Sequence, residues 1–367
     1  MNRYFYYNVL LVSLLNLMIF VPHVLLKYRY DGAVMSMLVA VLIGSLFAYM
    51  YTYVMQTFPG KGVPEMLYDY FPKAVAIPYL IMMAVMWFIA SAIAIVAYAV
   101  LINRLLNPDT SPIIVLVMLT IVCVYTSTRS TMTILFIIEM GLLINTPLVL
   151  FILMKAARSK SINWDAIMTV TQYWNQAPKI LPVAAATYVF TGYINYAIYN
   201  RVNPPNFRMR YRWMIPLMGT FILLMSFFVP IGFHGTEMVD NYLYVWSVTA
   251  DSLIMNYGFI ERVIFVFLIL YLNLTLIYTA SGWHQAIEFI RCCMPGHKPS
   301  IDPDKTPRSN WYIGGAFALV SIAYLYLFNE KQNYSIASYW LVIRLFIEAA
   351  SVSLFFFISI RKRRASS

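Results

Sequence analysis

Long apolar runs, each closed by a charge or a proline, recur along the whole chain and predict helices that cross a membrane. One crossing takes about 20 apolar residues. The runs lie near 5–26, 32–56, 77–103, 112–127, 132–154, 180–199, 213–233, 262–284, 311–328 and 337–360. The run at 112–127 is short, but Asn107-Pro108-Asp109-Thr110-Ser111-Pro112 ahead of it is a turn into a helix start, and Arg129 closes its far end. Arg3 followed by an apolar run to Lys27, with no small-residue cleavage site, reads as a first crossing rather than a removed signal peptide. The polar stretches between runs are too short for a separate domain. The expectation is an all-α polytopic membrane protein of about ten transmembrane helices, with residues 1–367 forming a single integral membrane domain.

Composition agrees. Of 367 residues, 61% are apolar and 11% charged, against roughly 25% charged in soluble domains, which excludes a water-soluble globular protein. Fourteen Gly and 18 Pro are scattered without a period, so low complexity and solenoids do not fit. Cys123, Cys292 and Cys293 form neither a CxxC pair nor a ligand set with His, and no disulfide framework or metal site is expected. The sequence has no nucleotide, cofactor or zinc-protease motif.

The formal charge of +11 is chiefly a topological signal. With the N-terminus inside, Arg3, Lys61, Arg201, Arg208, Arg210, Arg212, Arg291 and the terminal Arg361-Lys362-Arg363-Arg364 fall on the cytoplasmic side, and fewer basic residues fall opposite. Both termini are therefore expected in the cytoplasm, although the basic loop 155–179 runs against the rule. Attraction to anionic lipid headgroups accounts for the remainder. The basic residues are spread over several loops without a recognition fold, so nucleic-acid binding is not expected. The aromatic, acidic segment 234–258 suits a helical hairpin resting on the membrane face, and the proline-rich segment 285–310 reads as an irregular connector.

Several residues are costly inside a bilayer and so carry the chemistry. Glu139 interrupts the fifth run and reads as a structural, coupling or proton site, or as a satisfied core acid. Arg344 and Glu348 are four apart, share a helix face and form a self-neutralising pair more readily than a binding site. In the first run Asn16 follows Ser13 and precedes Pro22, which removes a backbone hydrogen bond and opens the helix. In the sixth, Thr187-Tyr188-Val189-Phe190-Thr191-Gly192-Tyr193 breaks the apolar pattern with hydroxyls around a glycine. Each alone is equally well explained by ordinary helix packing. Together they point to a midplane ligand site between inverted five-helix repeats, about 5–154 and 180–360. Candidate ligand contacts are Asn16, Phe190, Thr191, Gly192 and Tyr193, with Asn273 and Thr275 of the eighth run, and Tyr278 and Thr279 lie one turn further on. His23 reads as interfacial and His284 as a helix end. An enzyme is not expected, since no intramembrane base is paired with a nucleophile or metal ligands.

The order of features resembles the B-subunit family of bacterial spore germinant receptors (the GerA-type B subunits), a branch of the amino acid–polyamine–organocation transporters. Phe58-Pro59-Gly60-Lys61 is similar to that family's Phe-Pro-Gly-Lys loop, the 106–112 segment to its Leu-Pro-Glu-Thr-Pro turn, and Tyr125 to Glu139 to its stretch leading into the fifth crossing. Phe136 and Val96-Ala97 stand where the family often has arginine and an Arg-Glu pair. The resemblance implies a LeuT-like fold with 5+5 inverted repeats, broken first and sixth helices and no cofactor. It also implies a subunit that binds a small nutrient, such as an amino acid, and signals to A- and C-type partners in the inner spore membrane. A proton- or sodium-coupled amino acid permease is the alternative.

Overall fold

The computed structural model describes residues 2–106, 108–205, 207–253, 262–297, 299–303 and 305–366. Helices α1 (Asn2–Met18) and α2 (Phe20–Lys27) form one crossing bent by 56° at Ile19. The bend falls just before Pro22, whose ring would strike the carbonyl four residues back, that of Met18, and whose missing N–H leaves that carbonyl unpaired. Helix α3 (Ala33–Thr57) follows Gly32, held at φ 84°. The short α4 (Val63–Tyr70) starts with Pro64 in its first turn and Glu65 accepting the Gly62 N–H at 2.8 Å. Helices α5 (Lys73–Leu106), α6 (Pro112–Ser127) and α7 (Thr131–Ala157) come next, and Ser111 and Ser130 accept backbone N–H groups at the starts of α6 and α7.

After the short α8 (Trp164–Thr171), α9 (Ile180–Tyr188) stops in mid-crossing. The chain then continues as 3-10 turns at Thr191–Asn195 and Asn200–Val202 around the single-turn α10 (Tyr196–Tyr199). Helices α11 (Met214–Met238), α12 (Val245–Asp251), α13 (Val263–Cys292), α14 (Arg308–Leu327) and α15 (Glu330–Ser366) complete the described chain. Among the described residues seven helices are long and apolar enough to span, and the bent α1/α2 pair makes an eighth. The shorter apolar α6 and the broken 180–202 segment occupy the two remaining predicted runs. Lys362 Nζ donates to Thr57 O at 3.2 Å, Lys362 and Arg363 border one groove with Arg208, and Tyr6 near the start of α1 bonds Arg210 O, so both chain ends lie at one end of the bundle.

Helices α5 and α13 form the centre, each 67% buried over its most apolar window, whereas the figure for α14 is 17%. On α3, Leu38, Leu42 and Leu46 recur every fourth residue and are exposed, as Ile114, Met118, Ile121 and Val122 are on α6. These stripes face lipid, where apolar exposure carries no hydration penalty and the helix satisfies its own backbone. The chain is an integral membrane protein.

Two predicted boundaries move. Helix α13 runs past His284 and Gln285 to Cys292, because His284 and Glu288 find buried partners and have no need to reach water. Helix α11 continues across a kink at Gly235 (φ 73°), and Tyr244 and Trp246 are buried. The segment from 234 therefore packs against α13 and α11 as far as residue 253; its last residues, 254–258, lie outside the described residues.

Candidate functional site

The two broken crossings meet. Ser13 on α1 donates to Val189 O at 2.6 Å, one residue past the end of α9. A Cβ on Gly192 would stand 2.4 Å from Asn8 O and 2.4 Å from Val9 Cα. Gly192 thus lets α1 backbone press against the break, and the space beside it is already filled by protein. Gly192→Ala should cost about 1–3 kcal/mol by overpacking, read as a lower unfolding temperature of the detergent-purified protein. Phe190 is fully buried in a slot between Gly44 on α3 and Gly219 on α11, where an added Cβ would meet its ring at 2.7 and 2.2 Å.

Just beyond the break lies a buried ion pair. Arg344 on α15 bonds Glu348 one turn on. It also donates to Thr191 Oγ1 at 2.8 Å, to Thr187 Oγ1 at 3.0 Å and to the Ala184 carbonyl. Ala184 lies near the C-terminal end of α9, which carries the negative end of the helix dipole, so a guanidinium is well placed there beside Thr187 Oγ1, which donates to the same carbonyl at 2.9 Å. Glu348 accepts from the hydroxyls of Tyr193 and Thr191 as well as from Arg344. Arg344 lies over the Tyr188 ring at 5.0 Å. The pair is thus self-neutralising and also fastens α15 to the broken sixth crossing.

This pair forms part of the wall of a cavity of about 50 Å³, room for a few waters or a small solute. Its other walls come from α5 (Met83, Met86, Trp87, Ser91), the sixth crossing (Tyr188, Thr191, Asn195), Tyr278 on α13 and Trp340 on α15. A second cavity of about 30 Å³ opens at the α1/α2 bend beside Asn16, Ile19 and Phe20. Tyr188, Tyr278 and Trp340 border both. The Tyr188 and Tyr278 hydroxyls bond each other across the divide, and Trp340 packs edge-on against Tyr188 at 5.1 Å.

Among the sequence candidates, then, Thr191, Arg344 and Glu348 share the first cavity and Asn16 lines the second. Tyr193 reaches the cavity through Glu348. Pro22 is buried in α2 beyond the bend. Thr275 is buried with its hydroxyl lacking a partner among the described residues, Asn273 is half-buried, and neither lines either cavity. Glu139 lies apart, near the start of α7, ion-paired at 3.2 Å with Arg3, whose side chain is 59% exposed.

A second buried network, at the end holding the termini, draws on residues that the sequence suggests only as loop charges and a helix end. Arg201 meets Glu65 at 2.7 Å and Glu288 at 3.2 Å, and Glu288 also meets Arg291 at 2.6 Å. Asn200 donates to Phe58 O at 2.8 Å and Lys61 O at 2.7 Å, so the Phe-Pro-Gly-Lys loop is bound to the sixth crossing. His284 bonds Thr131 Oγ1 and Ser127 O. Glu288, Cys292 and His297 converge closely enough to ligate a metal ion, but Arg201 and Arg291 already bond Glu288 and their charge opposes a cation. Burial and Arg291 hold the imidazole of His297 below its ordinary value, so at neutral pH it adds no charge.

Residues 12–290 match a family model described as spore germination protein. Among solved structures, the chain is similar to Mhp1, a nucleobase-cation-symport-1 family transporter in a closed conformation with bromovinylhydantoin bound. Identity is 12% and the TM-score 0.60, over 98% of this chain and 79% of that one. It is also similar to the substrate-bound outward-open state of a Na+-coupled sialic acid symporter, at 12% identity and a TM-score of 0.51, over 96% of this chain and 78% of that one. Both likenesses place the chain in the LeuT-type transporter fold. No curated protein matches the sequence.

Proposed function

The chain belongs to the spore germination protein family, and on that premise we propose that it is the nutrient-sensing subunit of a germination receptor. It binds a small amino acid or similar metabolite in the midplane cavities and passes a conformational change to A- and C-type partner subunits. The observation that carries this reading is the position of Arg344, which touches the cavity, the broken end of α9 and Glu348 at once. A ligand that engages this guanidinium redistributes bonds holding two helices together, and that is a differential interaction able to shift a conformational equilibrium. The excess of Lys and Arg on the loops at the terminal end supports cytoplasmic termini, in the inner membrane of the spore.

The second reading is a proton- or sodium-coupled amino acid permease, favoured by the two symporter-type solved relatives. Proteoliposomes holding only this chain separate the two. With radiolabelled L-alanine and an imposed sodium or proton gradient, a sensor shows at most stoichiometric binding, and spores lacking the chain lose their nutrient response. Gradient-driven accumulation beyond one solute per protein would establish the permease instead.

A further inference from the structure

We propose that the larger cavity seats the oxygen acceptors of a ligand bearing no net charge, with Arg344 and the indole N–H groups of Trp87 and Trp340 as the donors. The inference rests on the midplane-cavity reading and adds which chemistry the cavity selects. Arg344 Nε, Trp87 Nε1 and Trp340 Nε1 are all buried and have no hydrogen-bond partner among the described residues, and all three side chains line this one cavity. A buried donor left unpaired is costly, and three on side chains that line one small space favour an acceptor that enters it and draws them toward it.

The acid in the cavity offers no comparable seat. Glu348 is taken up by Arg344, Thr191 and Tyr193, so an ammonium group would have to displace a bond already made. The charges of Arg344 and Glu348 cancel, and the other lining side chains are uncharged at neutral pH. A net charge brought into this mainly apolar space would therefore be left without a counter-charge. The aromatic walls suit a planar acceptor group. That chemistry is shared by the carboxylate of a zwitterionic amino acid and the carbonyls of a neutral imide ring.

The test uses the full chain purified in detergent, with ligand-dependent shifts of unfolding temperature measured for three probes: L-alanine, uracil and ethylammonium chloride. The expected result is saturable stabilisation by L-alanine or by uracil, which tells the two sources apart, and none by ethylammonium, which has no acceptor. Trp87→Phe and Trp340→Phe keep an aromatic ring, smaller than indole, and remove the N–H. Each should weaken the effective probe about tenfold, the loss of one hydrogen bond, and Arg344→Lys should weaken it more. Stabilisation by ethylammonium equal to that by the acceptor probes would overturn the proposal. So would unchanged affinity in both Phe variants, or no response to either acceptor probe. If Trp340→Phe weakens binding while spores carrying it germinate at the parental nutrient concentration, the acceptor site stands and the sensing role falls.

Discussion

Arg344→Met, with Glu348 left in place, is expected to destabilise the protein by about 3–5 kcal/mol. The loss has two sources. Glu348 keeps only the hydroxyls of Tyr193 and Thr191 and becomes an uncompensated charge in the membrane interior. The Ala184 carbonyl loses the guanidinium at the end of α9 and keeps only its weaker donor Thr187 Oγ1 and the helix backbone. Replacing both members, Arg344→Met with Glu348→Leu, strands no charge and should recover most of the loss, because a buried pair removed whole is often close to neutral in stability. Thermal unfolding of the wild type, the two single variants and the double variant yields the coupling directly. A double variant as unstable as the sum of the singles would show that the two side chains do not act as a unit.

The network at the terminal end should respond in the same direction, somewhat less. Arg201→Met leaves Glu65 without its cation, holding only the Gly62 N–H, and Glu288 with Arg291. Glu65 is about a quarter exposed, at 24%, and Glu288 keeps one cation, so a loss of about 2–4 kcal/mol is expected rather than the full cost of an isolated buried charge. Lys61→Met is the matched control. It breaks the Lys61–Asp69 pair at 2.6 Å, whose side chains are 47% and 44% exposed, and should cost at most about 1 kcal/mol. Unfolding temperatures in low and high salt make the comparison sharper, since screening weakens the exposed pair much more than the buried one. Equal losses in the two variants would mean that the Arg201 cluster is no more than a surface ion pair.

Crossings are legible in a sequence because lipid imposes one rule, a long apolar helix, on every span. Pro22 and the hydroxyl-rich stretch at Thr187 to Tyr193 announce the breaks for an equally local reason, since each disrupts a helix through its own residues. The 344 and 348 spacing likewise fixes a shared face. The partners of that face do not follow from spacing: Thr187, Thr191 and Tyr193 lie far away in sequence and arrive through packing of α15 on α9. The Arg201 cluster was hidden for the same reason. Glu65, Arg201 and Glu288 belong to three distant segments, and each alone resembles a charge near a membrane edge. The available signal was Glu288 after His284 inside a run still rich in apolar residues, which marks a helix continuing in protein rather than one emerging into water. Gly192, a candidate ligand contact in the sequence, admits α1 backbone instead, a neighbour that no local pattern announces.

The ring of Phe190, clasped by Gly44 and Gly219, has a mechanical consequence. It works as a peg at the interruption of the sixth crossing: the flanking helices touch it through their backbones, with no flexible side chain between to give way. Sliding the interruption up or down the bundle would drive the ring out of that slot and into the helices that form it. The ring thus holds the interruption at one height, and the depth at which Arg344 meets it depends on the two glycines.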